Sequence, residues 1–235
     1  MFASDFYLQV NMIEIIKKTA DYVIVNKPVG MPSQSDPSGD PDAMKVTSVA
    51  LREIGEREEL FLIHRLDRVV GGLLVFARNK KTAAHLSSLV ADRKFDKWYF
   101  AVVEGCAEGG EMNDYIYKDA ALNKAFVSDR ARGGVKSAKL EYTNLATCEV
   151  DGRTLSLVKI KLGTGRFHQI RAQFASRKMP LIGDKKYGSR DFKAKMPALF
   201  ATELGFNMPR EEVHISALPP LADYPWSLFD LSNYK

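Results

Sequence analysis

The stretch LIHRLDRVVGGLLVFA at residues 62–77 places ionisable side chains directly between two apolar runs. Charged groups beside a buried strand cost free energy unless a partner or a chemical task compensates for their desolvation. The pattern predicts one strand that ends near His64, a charged turn, and a second strand over residues 73–77. The turn is therefore the first candidate functional segment, and its charged residues are His64, Arg65, Asp67 and Arg68.

A second polar segment, GTGRFHQIR at residues 163–171, follows an alternating apolar run. Its two glycines permit a sharp turn or a close approach to a ligand, and a helix is predicted over residues 168–177. Because a helix N-terminus attracts anions, this segment is a reasonable place for a phosphate or a carboxylate. Its polar side chains are Arg166, His168, Gln169 and Arg171.

The composition is that of an ordinary globular protein. The chain has 235 residues, of which 46% are hydrophobic, enough to fold as one sizeable domain or two small ones. Lys and Arg number 34 against 29 Asp and Glu, and the resulting net charge of +5 favours a polyanionic partner. A soluble protein with a mildly basic surface is the plainer interpretation of the same numbers.

Metal, disulfide and membrane functions find no support in the sequence. Cys106 and Cys148 stand outside any C-x-x-C pattern, and the four histidines show no ligand spacing. The N-terminus lacks a secretory signal, and no apolar run approaches the length that crosses a bilayer. We therefore expect a cytoplasmic protein without a metal, a membrane partner or an obligate protein partner.

Hydrophobic periodicity predicts one α+β domain built on a large, mostly antiparallel sheet with flanking helices. Residues 13–16 and 22–26 predict a hairpin, and a long exposed loop follows it. Further helices are predicted over residues 46–56 and 80–93. The remaining predicted strands cover residues 95–105, 114–118, 125–128, 139–145 and 154–162. Because Met12 opens a natural domain start, residues 1–11 are interpreted as an N-terminal extension of a domain over 12–235.

Several motifs in order resemble the RluA-type pseudouridine synthases. HRLD at 64–67 with GLLVFA at 72–77 resembles the catalytic motif of that family. The resemblance continues in NKPVG at 26–30, DKWYFAVVEG at 96–105, GRFHQIR at 165–171 and PLIGDKKYG at 180–188. It extends weakly to LFATELGF and LPPLADY, so that it covers about residues 12–228.

The resemblance implies the pseudouridine synthase fold with a central active-site cleft, and isomerisation of uridine to pseudouridine in rRNA or tRNA without a cofactor. It makes Asp67 the essential aspartate, either as the nucleophile at C1′ or as the base that removes the 2′ proton. Tyr99 matches the tyrosine that stacks on the target base, and Arg171 matches the arginine that pairs with the catalytic carboxylate. An adjacent arginine favours the ionised carboxylate, which agrees with that role.

RNA contacts are expected from cations near these motifs. Arg65 is a candidate to contact phosphate or to fill the space that a flipped base vacates. Lys27 is either a phosphate contact or a solvated loop charge. The other expected RNA-binding residues are Arg166, His168, Gln169, Lys185 and Lys186.

The sequence departs from the family pattern at three places. Val70-Gly71 replaces the usual Thr-Ser after the catalytic motif, Gln173 replaces a histidine, and Lys178 replaces a glycine. If Lys178 must adopt a left-handed conformation, it costs about 1 kcal/mol relative to glycine. We expect no S4-type RNA-binding domain before the predicted catalytic domain.

Three alternatives stand beside this prediction. The Val70-Gly71 change favours an RNA-binding member of the fold that has lost turnover. Asp67 and an arginine could form a merely structural ion pair, although such pairs rarely add net stability, and His64 and His168 could be structural histidines. A hydrolase with an aspartate nucleophile would need a second carboxylate or a metal cluster, and neither stands out.

Overall fold

We describe a computed structural model of the chain, which covers residues 13–131 and 133–234. The interpretation of residues 1–11 as an extension lies outside these described residues. The chain divides into two compact units. The first comprises the chain up to Phe95 and Glu203–Ala217, and the second comprises Asp96–Thr202 and the chain from Leu218 onward. That residues 12–235 act as one catalytic domain stays a prediction.

In its described residues, the first unit combines short antiparallel strands with two helices. The central strand β2 pairs with β1 on one side and with β4 on the other, while β3 pairs with β4, all antiparallel. The second part of β10, residues 203–208, pairs with β11 in an antiparallel hairpin. The elements are β1 Glu14–Lys18, β2 Tyr22–Lys27, α1 Ala43–Glu53, β3 Phe61–Leu62, β4 Gly71–Ala77, α2 Lys80–Ala91 and β11 Glu211–Ser216, with β10 spanning Leu199–Met208.

The core of the first unit forms where β2 and β4 direct alternate side chains to one face. Tyr22 and Ile24 of β2 pack with Leu73 and Val75 of β4, and α2 adds Leu86 to the same cluster. Every residue of β4 is buried, so this strand is covered on both faces. A strand that is held in this way gives the charged turn before it a rigid base.

In its described residues, the second unit consists mainly of an antiparallel sheet and one α-helix. Its strands lie in the order β5, β9, β8, β6, β7, and each neighbouring pair is antiparallel. Helix α3 packs over this sheet through Ala172, against Ile116, Ala125 and Ala138. The elements are β5 Asp96–Glu104, β6 Gly110–Asp119, β7 Lys124–Ser128, β8 Lys136–Val150, β9 Arg153–Leu162, α3 Gln169–Ser176 and a 3-10 turn Lys185–Tyr187.

The predicted α+β class with mostly antiparallel pairing is confirmed, but some element bounds were wrong. Helix α1 begins at Ala43 rather than residue 46, because Asp42 caps it by accepting from the Lys45 N–H at 3.0 Å. The hairpin of β10 and β11 was not predicted at all. No helix in the described ranges is long and apolar enough to span a membrane.

Candidate active site

The loop between β3 and β4 carries Asp67, and hydrogen bonds to main-chain groups hold the residues on either side of it. The Ser33 hydroxyl donates to the Leu66 carbonyl at 2.8 Å and accepts from the Leu66 N–H at 3.0 Å. The Gly30 N–H donates to the Arg68 carbonyl at 2.8 Å. Since Ser33 is itself buried, these bonds exchange little with water. Asp67 is thereby presented, half-buried, on a fixed backbone.

The Val70-Gly71 departure leaves the turn after Asp67 closed. The Val70 N–H donates to the Asp67 carbonyl at 2.9 Å, and the Val70 side chain is buried. The next residue, Gly72, has a φ of +114°, which a residue with a Cβ would rarely adopt. A main-chain bond and apolar burial therefore support the turn where the family usually has two hydroxyls.

Arg68, which follows Asp67, is engaged by the acidic loop that precedes α1. Its guanidinium donates to the Ser38 hydroxyl at 3.0 Å and pairs with Asp40, while Asp36 lies 3.8 Å away. The two carboxylates offset the charge of Arg68. This contact also ties the loop to the charged turn, close to Asp67 in sequence.

The prediction that Lys27 is a phosphate contact or a solvated charge is corrected, because its side chain is fully buried. Its Nζ donates to the carbonyls of Pro28 at 2.9 Å and Met31 at 2.7 Å. Burial lowers the pKa of Lys27 to about 7, although the charge of Asp67 favours the protonated form. The lysine closes the loop after β2, and two main-chain oxygens take the place of water.

Arg65 is exposed on the turn that carries Asp67, next to the buried Leu66. Such a position is open to a polyanion, whereas a buried guanidinium would not be. That Arg65 contacts RNA stays a prediction.

In the second unit, Arg171 forms a buried, two-point ion pair with Asp184. The Arg171 Nε lies 2.6 Å from Asp184 Oδ2, and a terminal nitrogen lies 2.8 Å from Oδ1. Both side chains are nearly inaccessible to water. This pair uses two of the five N–H donors of a guanidinium. The sequence did not reveal Asp184 as a partner.

Tyr187 lies against the Arg171 guanidinium and bonds to His168. The guanidinium carbon lies 4.9 Å from the centre of the Tyr187 ring, and the Tyr187 hydroxyl lies 3.0 Å from His168 Nδ1. Burial, with the charges of Arg171, Lys186 and Lys118, lowers the pKa of His168 to about 3. His168 is therefore neutral at physiological pH. Its backbone is left-handed, with a φ of +50° directly before α3.

Gln169, predicted to contact RNA, is corrected to a structural residue. It is 3% exposed, and its amide oxygen accepts from the Thr164 hydroxyl at 2.7 Å and from the Arg166 N–H at 3.0 Å. Its amide nitrogen donates to the Lys139 carbonyl at 3.1 Å. With these bonds the buried side chain braces the segment before α3 against β8.

The two glycines of this segment lie close to neighbouring parts of the protein. A Cβ on Gly163 would lie 3.1 Å from the Lys139 carbonyl, so the backbone packs closely on β8 there. At Gly165 the nearest side-chain atom to such a Cβ is Lys97 Nζ, 3.6 Å away. Burial lowers the pKa of Lys97, a residue that sequence reasoning had not singled out.

Tyr99 lies on β5 opposite Ile160 of β9, two residues beyond Lys97, and is 6% exposed. Arg166 is half-buried, and its Nε donates to the Ser137 carbonyl at 2.8 Å. Their predicted roles with RNA stay predictions.

Lys185 and Lys186 are exposed on the 3-10 turn that follows Asp184. Lys186 Nζ donates to the carbonyls of Leu122 at 3.3 Å and Asn123 at 2.9 Å, which holds its charge near β7. Their position fits the predicted contact with a polyanion, and that contact stays a prediction.

The other departures from the family pattern have clear local settings. Gln173 is fully buried and donates to Asp114 Oδ2 at 2.7 Å, a carboxylate that also pairs with Arg177. Lys178 has a φ of +62° just after α3, so the condition stated for its conformational cost is met. Within residues 13–131 and 133–234, no three His, Cys, Asp or Glu side chains are grouped to hold a metal ion.

Comparisons with known proteins agree with this architecture. Residues 21–176 match the family model described as RNA pseudouridylate synthase. The chain is 31% identical over 215 residues to tRNA pseudouridine synthase C of Vibrio parahaemolyticus. This match covers 84% of this chain and 85% of that protein. The protein of the same name from Vibrio vulnificus is 32% identical, over 88% of this chain and 84% of that one.

A solved structure supports the fold independently. The structure of human RNA pseudouridylate synthase domain containing 4 superposes with a TM-score of 0.75 at 21% sequence identity. The superposition covers 92% of this chain and 93% of the human chain. The fold predicted from the motifs is thereby confirmed.

Proposed function

The chain belongs to the RNA pseudouridylate synthase family and isomerises uridine to pseudouridine in RNA, and we propose that Asp67 is the residue that starts this reaction. The observation that carries the proposal is the fixing of Leu66 and Arg68, the neighbours of Asp67, by Ser33 and Gly30. A carboxylate must be held in place to act on one carbon atom of a nucleotide.

Two chemical routes use this carboxylate. As a nucleophile, an Asp67 oxygen bonds to C1′ while the N1–C1′ bond breaks, and uracil C5 later displaces the carboxylate. As a base, Asp67 takes the proton from C2′ while the N1–C1′ bond breaks, and it returns that proton after C5 has bonded to C1′. In both routes C5 loses its proton and N1 gains one. Deuterium at C2′ slows the reaction markedly only on the second route.

We propose Tyr99 and Arg171 as the partners of Asp67 in catalysis. Tyr99 offers an aromatic ring for stacking on the uracil and a hydroxyl that can take part in proton removal from C5. Arg171, whose orientation the Asp184 carboxylate fixes, favours an ionised carboxylate in its neighbourhood. Neutral His168 avoids a second full charge beside that guanidinium.

We propose that Arg65, Arg166, His168, Lys185 and Lys186 contact the RNA. The exposed ones can release counterions when phosphate binds, which makes affinity depend on salt. The flipped uridine costs a few kcal/mol of stacking, and these contacts help to offset it. The protein is proposed to act in the cytoplasm.

The first substrate to test is tRNA, because the two Vibrio relatives are named as tRNA-modifying enzymes. Purified protein is incubated with unmodified tRNA and, separately, with unmodified rRNA, each tritiated at C5 of uridine. Release of tritium from tRNA supports the proposal, and release from rRNA alone moves the substrate to ribosomal RNA. If neither RNA releases tritium, the chain is the inactive RNA-binding member that Val70-Gly71 had suggested.

A further inference from the structure

Phe192 is the most conspicuous exposed side chain that the proposed reaction leaves without a task. It is 81% exposed, whereas Leu122 and Ile54 are 59% and 58% exposed. A single exposed apolar residue is ordinary, but a nearly bare phenylalanine on a well-anchored loop is less so. The loop, residues 189–197, belongs wholly to the second unit.

The buried side chain of Asp191, the residue before Phe192, holds the loop in place through hydrogen bonds. The Asp191 side chain is 1% exposed and accepts from the N–H groups of Lys193 at 2.9 Å and Ala194 at 3.0 Å. The Tyr224 hydroxyl and the Arg153 guanidinium bond its other oxygen at 2.7 and 3.0 Å. Phe192 is therefore displayed on a backbone that needs little ordering when a ligand binds.

Packing behind the loop reinforces this rigidity. Gly183 has a φ of +77°, and a Cβ there would fall 2.4 Å from the Met196 carbonyl oxygen. Ala194 and Pro197 are buried against the same side. The loop consequently has one buried side and one exposed side, and Phe192 is on the exposed one.

Basic side chains are exposed on the loop of Phe192 and on the 3-10 turn before it. Lys185 Nζ lies 5.5 Å from the centre of its ring, and Arg190 and Lys195 are exposed on the same loop. Lys193 is exposed as well, although it pairs with Asp151 at 2.7 Å. The acidic residues of this stretch, Asp184 and Asp191, are buried in internal ion pairs. Two carboxylates partly offset the exposed cations: Asp151 pairs with Lys193, and Glu104 accepts from the Arg190 N–H at 3.1 Å.

We propose that Phe192 is a stacking platform for an unpaired base of the RNA, with Lys185, Arg190 and Lys195 bound to the flanking phosphates. This inference rests on the proposed function for its choice of RNA as the polyanion. An aromatic ring among cations is the combination that binds single-stranded nucleic acid, because bases stack on the ring while phosphates pair with the charges. A purely apolar protein partner would leave these cations desolvated.

The test measures binding of the full chain to single-stranded oligocytidine and to an RNA duplex of the same length. Oligocytidine contains no uridine, so the result does not depend on turnover. We expect Phe192→Ala to weaken oligocytidine binding about tenfold and to leave duplex binding within about twofold, since a duplex offers no unpaired base to the ring. Phe192→Trp should bind oligocytidine at least as tightly as the wild type.

Ile54→Ala is the matched control, because Ile54 is also exposed but lies among Arg52, Glu53 and Glu56. It should bind both RNAs as the wild type does, and all variants should keep the wild-type Tm. With substrate RNA, Phe192→Ala should raise KM and preserve kcat.

Unchanged oligocytidine binding by Phe192→Ala would overturn the proposal, as would an equal loss for the duplex or for Ile54→Ala. So would a dimer in the wild type that Phe192→Ala dissociates, since the ring would then contact a second copy. Failure of the proposed function is a separate result: the wild type would release no tritium from uridine-containing RNA.

Discussion

Ser33 and Leu66 exchange two hydrogen bonds, so one buried hydroxyl fixes both main-chain polar groups of the residue directly before Asp67. The two residues are far apart in the chain, and the bonds join the loop after β2 to the turn before β4. The position of the proposed catalytic carboxylate is therefore determined by a serine that does not need to touch RNA.

Replacement of Ser33 by alanine should lower kcat about tenfold with little change in KM. The change leaves the Leu66 N–H and carbonyl without their buried partner, at a cost of about 1–3 kcal/mol that a shift of the loop can relieve. Tritium release at varied RNA concentration measures both constants. Ser48→Ala, which removes an exposed hydroxyl bonded to the Glu58 carbonyl, is the control and should behave as the wild type.

Lys27 should make the protein more stable as the pH rises above 7. Its folded pKa is about 7, below its ordinary value of 10.5, so the unfolded chain binds more protons between these two pH values and stability rises with pH. In Lys27→Met this contribution is absent. Urea unfolding at pH 7 and pH 9 should show a rise in the free energy of unfolding that is smaller in the variant by about 1 kcal/mol or more.

A second measurement separates this burial from a phosphate contact. The salt dependence of RNA binding should keep its wild-type slope in Lys27→Met, whereas Lys185→Ala should reduce the slope by about one unit. A reduced slope in Lys27→Met would return this lysine to the RNA surface.

Substitution of Asp184 by asparagine should cost about 3–5 kcal/mol of folding free energy, because it leaves the Arg171 guanidinium buried without that charge partner. Chemical denaturation measures the loss. Asp151→Asn breaks an ion pair of similar length between exposed side chains and should cost less than about 1 kcal/mol. Similar losses in the two variants would contradict a special role for the buried pair.

Lys178→Gly should stabilise the protein by about 0.5–1 kcal/mol. The φ of +62° disfavours a residue with a Cβ, and glycine relieves that cost while losing part of the gain to a more flexible unfolded chain. Thermal unfolding gives the sign. Ser176→Gly, at a helical position of α3, should be destabilising, and a loss of stability in both variants would refute the backbone explanation.

Local patterns were enough to predict most elements and the two charged segments. The hairpin of β1 and β2, strand β4 and helix α2 follow from short-range periodicity, and the motifs around Asp67 and Arg171 indicated the family. The family pattern, which has a glycine where this chain has Lys178, also pointed to a left-handed conformation there.

Contacts that form only on folding could not be predicted. Lys27 was expected outside because nothing in its neighbourhood shows that the carbonyls of Pro28 and Met31 will surround its Nζ. The Asp184 partner of Arg171 and the brace formed by Gln169 likewise depend on long-range geometry. Phe192 reads as an ordinary apolar residue until the burial of Asp191 shows which way the loop faces.

Asp67 is the proposed catalytic carboxylate, and the release of tritium by Asp67→Asn measures whether the reaction needs it. The variant replaces one carboxylate oxygen by an amide nitrogen and keeps nearly the same side-chain size, so it should fold and bind RNA like the wild type. Asp36→Asn, which changes another carboxylate of the first unit, should keep its activity. Asp67→Asn should release no tritium above background, and wild-type release from that variant would contradict the catalytic role of Asp67.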